Sequence, residues 1–262
     1  MSVTATVAVD APGHVAIQAL GVFQVCLRHK AVSSSAWQSK KARDLLKILV
    51  AKRGHPATRD ALMEALWPEQ DPRRTANRLS VALSTARAVL EPGHRFDANR
   101  FIRADRATVR LDLEHISCDV ERFLHLAQDG LARQRAGWLE GAAELLEAAY
   151  EAYTGDFLEE DPYEEWAASL REEARAEYLA VAGALAELAD ARGDDRKAIA
   201  YRLCLLAHDP YDERAHLTIV AAQQAAGRHG EARRTYDRYR ARMAEIGVRP
   251  AAFSAVPLIT VV

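Results

Sequence analysis

A chain of 262 residues, 49% of them hydrophobic, is long enough to bury one large core or two of ordinary size, which excludes a disordered or low-complexity polypeptide. The formal net charge of −2 conceals two unlike halves: through Asp112 there are 18 Lys and Arg against 10 Asp and Glu, and beyond it 17 against 27. A basic half implies an anionic partner, while widely spaced Cys26, Cys118 and Cys204 exclude a disulfide framework or a CxxC zinc site.

Residues 1–13 read as a loose tail, without the basic start and apolar core of a secretion signal, and no later stretch is apolar enough to cross a membrane. The expected location is the cytosol, with reduced thiols. HVAIQALGVFQVCLRHKAV offers two short strands broken at Gly21. The serines of SSSAW are expected to cap the helix SKKARDLLKILVAKRG, whose stripe is Ala42, Leu45, Leu46, Leu49 and Val50 and whose stop is Gly54. A second helix is bracketed by Thr58 and Trp67-Pro68, with Asp60 in its first turn and Leu62, Met63, Leu66 and Trp67 inward. Asp71-Pro72 opens a third, PRRTANRLSVALSTARAVL, which ends at Glu91-Pro92-Gly93. FIRADRATVRLDL then reads as a hairpin around Asp105 and Arg106. Strands, three helices and a hairpin are the order of a winged helix-turn-helix.

From Cys118 onward the pattern is helical throughout. Gly227-x4-Ala232 lies 34 residues after Gly193-x4-Ala198, and the same offset takes Leu185 to Ile219 and Leu205 to Tyr239. Thirty-four is the period of the tetratricopeptide repeat, a helix pair that buries its faces by stacking on neighbours. Gly137-x4-Ala142 fits the template too, but with a 22-residue surplus, TGDFLEEDPYEEWAASLREEAR, read as an extended loop followed by an additional helix. The expected fold class is an α+β winged helix-turn-helix domain at 14–115, then an all-α tetratricopeptide-like repeat domain at 116–250 and a tail at 251–262.

The third helix carries the clearest functional signal. Leu79, Leu83, Ala86 and Leu90 cluster on one face, and Arg73, Arg74, Asn77, Ser80, Val81, Ser84 and Thr85 spread over the other, with Arg78 and Arg87 adding charge. An ordinary surface helix mixes signs to form i,i+4 pairs, whereas this one contains no acid. Arginine suits guanine, asparagine suits adenine, and an exposed valine can meet a thymine methyl, so the face fits direct base readout. Lys40 and Lys41 at a helix start, and Arg103 and Arg106 on the hairpin, are candidates for the DNA backbone. The acidic, aromatic run DFLEEDPYEEW, with Glu159, Glu160, Tyr163 and Trp166, has three readings: a solvated loop anchored by its aromatics, a surface for a basic partner, or an autoinhibitory contact with the basic half.

RDLLKILVAKRGHPATRDALMEALWPEQDPRRTANRLSVALSTARAVLEP resembles the winged helix-turn-helix of the Streptomyces antibiotic regulatory protein family, and the region from CDVERF to GVRP resembles that family's bacterial transcriptional activator domain. The likeness spans residues 14–250, and LMEALWP and GRHGEARRTYDRYR…GVRP are its most specific parts. It implies an activator of biosynthetic gene clusters that binds direct repeats in promoter DNA and contacts RNA polymerase holoenzyme; self-association on DNA is expected separately, because one three-helix reader covers only a few bases. It also makes the third helix the major-groove reader and puts Glu69 and Asp71 in a loop that touches polymerase. SVALSTARAVL lacks the basic ending of many relatives, and the tail AAFSAVPLITVV has no assignable pattern.

Without GxxxxGK[ST], GxGxxG or HExxH, no catalytic residue, cofactor or metal is expected. The rival reading is a repeat-type adaptor whose winged helix pairs with protein rather than reading sequence.

Overall fold

The computed structural model describes residues 15–93 and 95–253, with backbone alone at Pro72 and Arg73; the loose tail at 1–13 and residues 254–262 of the predicted C-terminal tail lie outside the described residues. The chain divides into two compact units. One runs through Leu124 and takes in Ala152–Arg175; the other holds His125–Glu151 and resumes at Ala176.

In the first unit, β1 (Val15–Gln18) and β2 (Gln24–Leu27) pair antiparallel, with Val15 opposite Leu27, and β3 (Lys30–Ala31) adds to β2. The SSSAW serines do not cap the next helix. They lead into a single 3-10 turn at Ser34–Ala36, and Ser39 takes the N-cap of α1 (Lys40–Ala51) without a side-chain hydrogen bond. The predicted α1 stripe is buried throughout. After β4 (Ala57–Thr58), Thr58 caps α2 (Arg59–Leu66), its Oγ1 accepting from Ala61 N–H at 3.2 Å. Then come α3 (Pro72–Leu90) and the wing, β5 (Ile102–Ala104) and β6 (Thr108–Leu111), with Ile102 opposite Leu111 and β4 on the outer side of β6. Three strands were not foreseen, the two-residue β3 and β4 and the longer β7 (Ile116–Cys118), which lies parallel to β1 and completes the order β3-β2-β1-β7. At three residues it is too short to display an alternating period.

The β1–β2 bend is held from far along the chain. Asp119, opening α4 (Asp119–Arg135), accepts the N–H groups of Ala19 at 2.8 and 2.9 Å and of Leu20 at 3.0 Å. Burial pushes its carboxyl up to about 6, against the pull of those N–H groups. On the other side, Thr154 Oγ1 donates to Leu20 O at 2.8 Å, Gly21 N–H to Asp156 O at 2.9 Å, Leu158 N–H to Ala19 O at 2.8 Å and Glu159 N–H to Gly21 O at 3.2 Å. Gly21 sits at φ +83, a conformation that disfavours a side chain.

The same acidic run closes over α1. Lys47, its side chain 3% exposed, donates to Glu160 and Asp161 at 2.5 Å each, and Arg43 reaches Glu160 at 3.0 Å. Arg171, also buried, donates to the carbonyls of Phe157, Asp161 and Pro162 at 3.0, 2.8 and 3.1 Å. Arg53 is clasped by Glu121 at 2.6 Å and Glu173 at 2.7 Å. The run is therefore a strap tied to the basic half through residues 156–161, with Phe157 and Leu158 buried, while residues 162–165 stay exposed. Besides its internal bonds and those to the nearby Tyr153, Arg171 and Arg175, its hydrogen bonds and ion pairs among the described residues fall on α1 and the β1–β2 bend and not on α3, so the contact does not occlude the reading face.

The second unit is built from α4 (Asp119–Arg135) beyond Leu124, α5 (Leu139–Ala152) through Glu151, α6 (Glu165–Ala191) from Ala176 on, α7 (Asp195–His208), α8 (Glu213–Ala225) and α9 (His229–Glu245). The template glycines occupy equivalent αα turns: Gly193 and Gly227 take φ +70 and +71, and the residue after each donates to the carbonyl five positions back, Asp194 to Ala189 and Arg228 to Gln223. Ile219 and Tyr239, at the repeat positions, are buried, and Tyr239 joins Val220, Ala232, Tyr236 and Met243 in one core. The 22-residue surplus differs from expectation. It holds no separate helix; its helical part extends α6 to 27 residues, because EWAASLREEARAEYLAVAGALAELADA contains no proline or cap to interrupt it. Of the C-terminal tail, Ala251 and Phe253 dock on α9, where Tyr236 Oη donates to Ala251 O at 2.7 Å.

Two stability measurements follow. Asp119→Ala strands the buried N–H groups of Ala19 and Leu20, and equilibrium denaturation should show a loss of about 2–4 kcal/mol. Gly183, inside α6, has nothing within 4 Å of where a Cβ would stand. Gly183→Ala should therefore stabilise the protein by about 0.5–1 kcal/mol.

Candidate nucleic-acid interface

α3 is seated by the predicted inner stripe, Leu79, Leu83, Ala86 and Leu90, joined by Thr75, Ala82 and Val89, all buried against the first unit's core. Its outward face carries Arg74, Asn77, Arg78, Ser80, Val81 and Ser84, all exposed, with Val81 64% exposed. Arg74 and Asn77 have no side-chain partner among the described residues. Arg78 donates to Gln70 Oε1 at 2.6 Å, which steers its guanidinium toward the α2–α3 turn. Ser80 Oγ donates to Ala76 O at 3.1 Å. Thr85 is only half exposed and lies toward the Leu27–Ala36 side of the helix, in a groove it shares with Val32 and Ala88. Arg73's side chain lies outside the described residues.

Arg87 departs from the expected base-reading role. Its Nη2 donates to Asn99 Oδ1 at 2.7 Å and to Ile102 O at 2.9 Å, and burial draws its guanidinium below the usual range. It clamps α3 to the wing strand and is not presented outward. Arg103 is likewise engaged, reaching Asp112 at 2.5 Å along the wing while staying half exposed. Arg106 stands exposed at the hairpin turn without a partner among the described residues. That turn is pinned by Asp105, whose carboxylate accepts the N–H groups of Ala107 and Thr108 at 2.7 and 2.6 Å. Lys40 is exposed beside the uncapped start of α1, and Lys41 is drawn 3.7 Å from Asp44.

Sequence reasoning missed Arg59. It opens α2 and extends between Ser80 Oγ at 3.4 Å and Asp105 O at 3.5 Å, where reading helix and wing meet. Its only signal in sequence was a basic residue just after a cap, which does not reveal the turn it would face.

Of the partner candidates, Glu69 and Asp71 are exposed in the α2–α3 turn, with Glu69 at φ +62, a strained value for this residue. On the strap, Glu160 is paired with Lys47 and Arg43 although the residue stays exposed. Glu159 remains exposed, Tyr163 is 95% exposed, and Trp166 donates to Glu164 at 2.7 Å. Asp112, Glu114 and His115 place one ligand atom each within 4.8 Å. Asp112 already serves Arg103 and the N–H of Glu114, so this set is an ion-paired turn rather than a metal centre. No helix of the described residues is long and apolar enough to cross a membrane.

Two family models match the chain: the C-terminal domain of transcriptional regulatory proteins over residues 34–107 and the bacterial transcriptional activator domain over residues 118–253. Mycobacterium tuberculosis EmbR, a transcriptional regulatory protein, is 28% identical over 236 residues, covering 88% of this chain and 59% of EmbR. The transcriptional regulator RedD of Streptomyces coelicolor is 30% identical over 248 residues, 92% of this chain and 68% of RedD. The solved structure of M. tuberculosis EmbR in complex with a low-affinity phosphopeptide is similar with a TM-score of 0.72 at 26% identity, over 92% of this chain and 63% of that one. This chain thus spans about three-fifths of EmbR's length.

The Arg87 clamp generates a separable expectation. Arg87→Ala should lower folding stability by about 1–3 kcal/mol in denaturant titration, while the salt dependence of DNA binding keeps its slope, because no phosphate contact is lost. A flatter slope with unchanged stability would return Arg87 to the interface.

Proposed function

This chain belongs to the Streptomyces antibiotic regulatory protein family of transcriptional regulators, and from that premise we propose that it is a sequence-specific DNA-binding activator, pathway-specific for a biosynthetic gene cluster. The observation that carries the reading is the exposed α3 face from Arg74 to Ser84, with two arginines, an asparagine, two serines and a valine and no acid. That face offers donors for guanine, a bidentate group for adenine and a methyl for thymine. Lys40, Arg59 and Arg106 flank it with positive charge suited to phosphate.

In this reading residues 14–115 meet DNA and the repeats of 116–250 meet protein, leaving 251–262 as a tail. One reader of three helices covers only a few base pairs, so two or more protomers would act side by side on promoter direct repeats. RNA polymerase holoenzyme is the proposed protein partner. The exposed acids Glu69 and Asp71 and the strap's Glu159, Tyr163 and Trp166 are the surfaces offered to it. The site of action is the cytoplasm, on the nucleoid.

Selection from a random duplex pool with the full chain, followed by salt titration on the winning sequence and a scrambled one, tests the reading. A short repeated element should be enriched and held more tightly at every salt concentration. Asn77→Ala should then cost about 1–3 kcal/mol at particular base pairs only, whereas Lys40→Ala should weaken all sequences alike and reduce the salt slope by about 1. Absence of enrichment, with equal and steeply salt-sensitive binding to both duplexes, would remove the base-reading role and leave the adaptor reading.

A further inference from the structure

Arg78 occupies the second turn of α3 and is rotated about 100° around the helix axis from Asn77, so it stands at the margin of the outward face rather than at its centre. A long side chain at such a margin sweeps many rotamers, and only a partner settles where its guanidinium points. That partner is Gln70. Its Oε1 accepts from Arg78 Nη1 at 2.6 Å, and the bond draws the guanidinium toward the N-terminal end of α3. The α2–α3 turn is shaped to supply this acceptor. Glu69 takes φ +62, and Gln70 N–H donates back to Trp67 O at 3.4 Å, while Asp71 O accepts the N–H groups of Arg74 and Thr75 at 3.0 and 3.1 Å and so starts the helix.

The nature of the acceptor decides what the bond is for. Gln70 stands between Glu69 and Asp71, yet among the described residues neither acid forms an ion pair with Arg78. A carboxylate would hold the arginine more firmly but would cancel its charge. The neutral amide orients the guanidinium and leaves its positive charge whole. A guanidinium only donates, so Oε1 of Gln70 faces it and the amide nitrogen is turned the other way. Both residues are exposed, where a hydrogen bond exchanges readily for water and adds little to folding. What it supplies is order before DNA arrives: the guanidinium is held in one orientation, and less entropy is lost on binding.

We propose that Gln70 is a positioning residue for base recognition, presetting Arg78 to donate to a guanine at the α2–α3 end of the reading face. This role rests on the base-reading function proposed for α3 and adds to it a residue that itself touches no base.

Competitive binding measurements with the full chain test it, on the duplex element enriched by selection and on its single base-pair variants. Arg78→Ala should lose discrimination at one base pair. Gln70→Ala should lose about twofold to tenfold at that same pair and nowhere else, which is the ordering cost of one long side chain. In the double variant Gln70→Ala, Arg78→Ala the loss should equal that of Arg78→Ala alone, because Gln70 acts through Arg78. Gln70→Glu retains an acceptor and should retain the discrimination, while its negative charge weakens binding to all duplexes alike. The thermal unfolding midpoint of Gln70→Ala should match that of the wild type. Unchanged discrimination in Gln70→Ala or Arg78→Ala, an equal loss on every duplex, a further loss in the double variant or a lowered midpoint would overturn the role of Gln70 while leaving the base-reading function in place. A wild-type protein that enriches no element would instead remove the base-reading function, and this role with it.

Discussion

The first unit depends on one requirement: a bend buried between two strands must find partners for its backbone groups. Ala19, Leu20 and Gly21 cannot bond one another in that geometry, and their donors and acceptors are met by Asp119 on one side and by residues 154–159 on the other. Meeting it draws β7 and the start of α4 against β1 and lays the acidic strap over α1, at Lys47. The position of α1 fixes the packing surface for the inner stripe of α3, so the orientation of the reading face traces back to a bend that touches no part of it.

The distribution of charge follows the same logic. Several acids in this unit are spent on its cations: Glu160 and Asp161 on the buried Lys47, Glu121 and Glu173 on the partly exposed Arg53, Asp112 on the half-exposed Arg103. Among the described residues, Arg74 on α3, Lys40 at the start of α1 and Arg106 at the hairpin turn have no acidic partner. The exposed residues of α3 from Arg74 to Ser84 include no acid, so the field at that face is of one sign.

The elements whose neighbours lie close in sequence were legible there. The stripes of α1 and α3, the Thr58 cap, the hairpin at Asp105 and the 34-residue spacing of Gly193 and Gly227 all express local geometry. What could not be read was long-range. Nothing in ISC announces a strand, because β7 exists only through its pairing with β1. DFLEEDPYEEW looks like surface, because its partner Lys47 lies 113 residues away and reads by itself as an exposed lysine. Arg87 falls in an arginine-rich helix and reads as one more DNA contact, and only the return of the wing strand beside it turns its guanidinium inward. Arg59 was overlooked for the complementary reason, that its place between Ser80 and Asp105 arises from three separate elements.

The strap also sets an order of events during synthesis. By the time residue 119 has left the ribosome, both sheets and all three helices of the winged helix are available, yet the bend at Ala19–Gly21 still lacks its partners from residues 154–159 and the ammonium of Lys47 lacks both of its acids. Those arrive only with residues 154–161, and Arg171, which fixes the strap's carbonyls, arrives later still. Closing loops of more than a hundred residues is slow relative to local pairing. The half of the protein that is made first is therefore finished late, and the nascent chain passes through a stage in which its most basic segment has emerged but is not yet held in its final form.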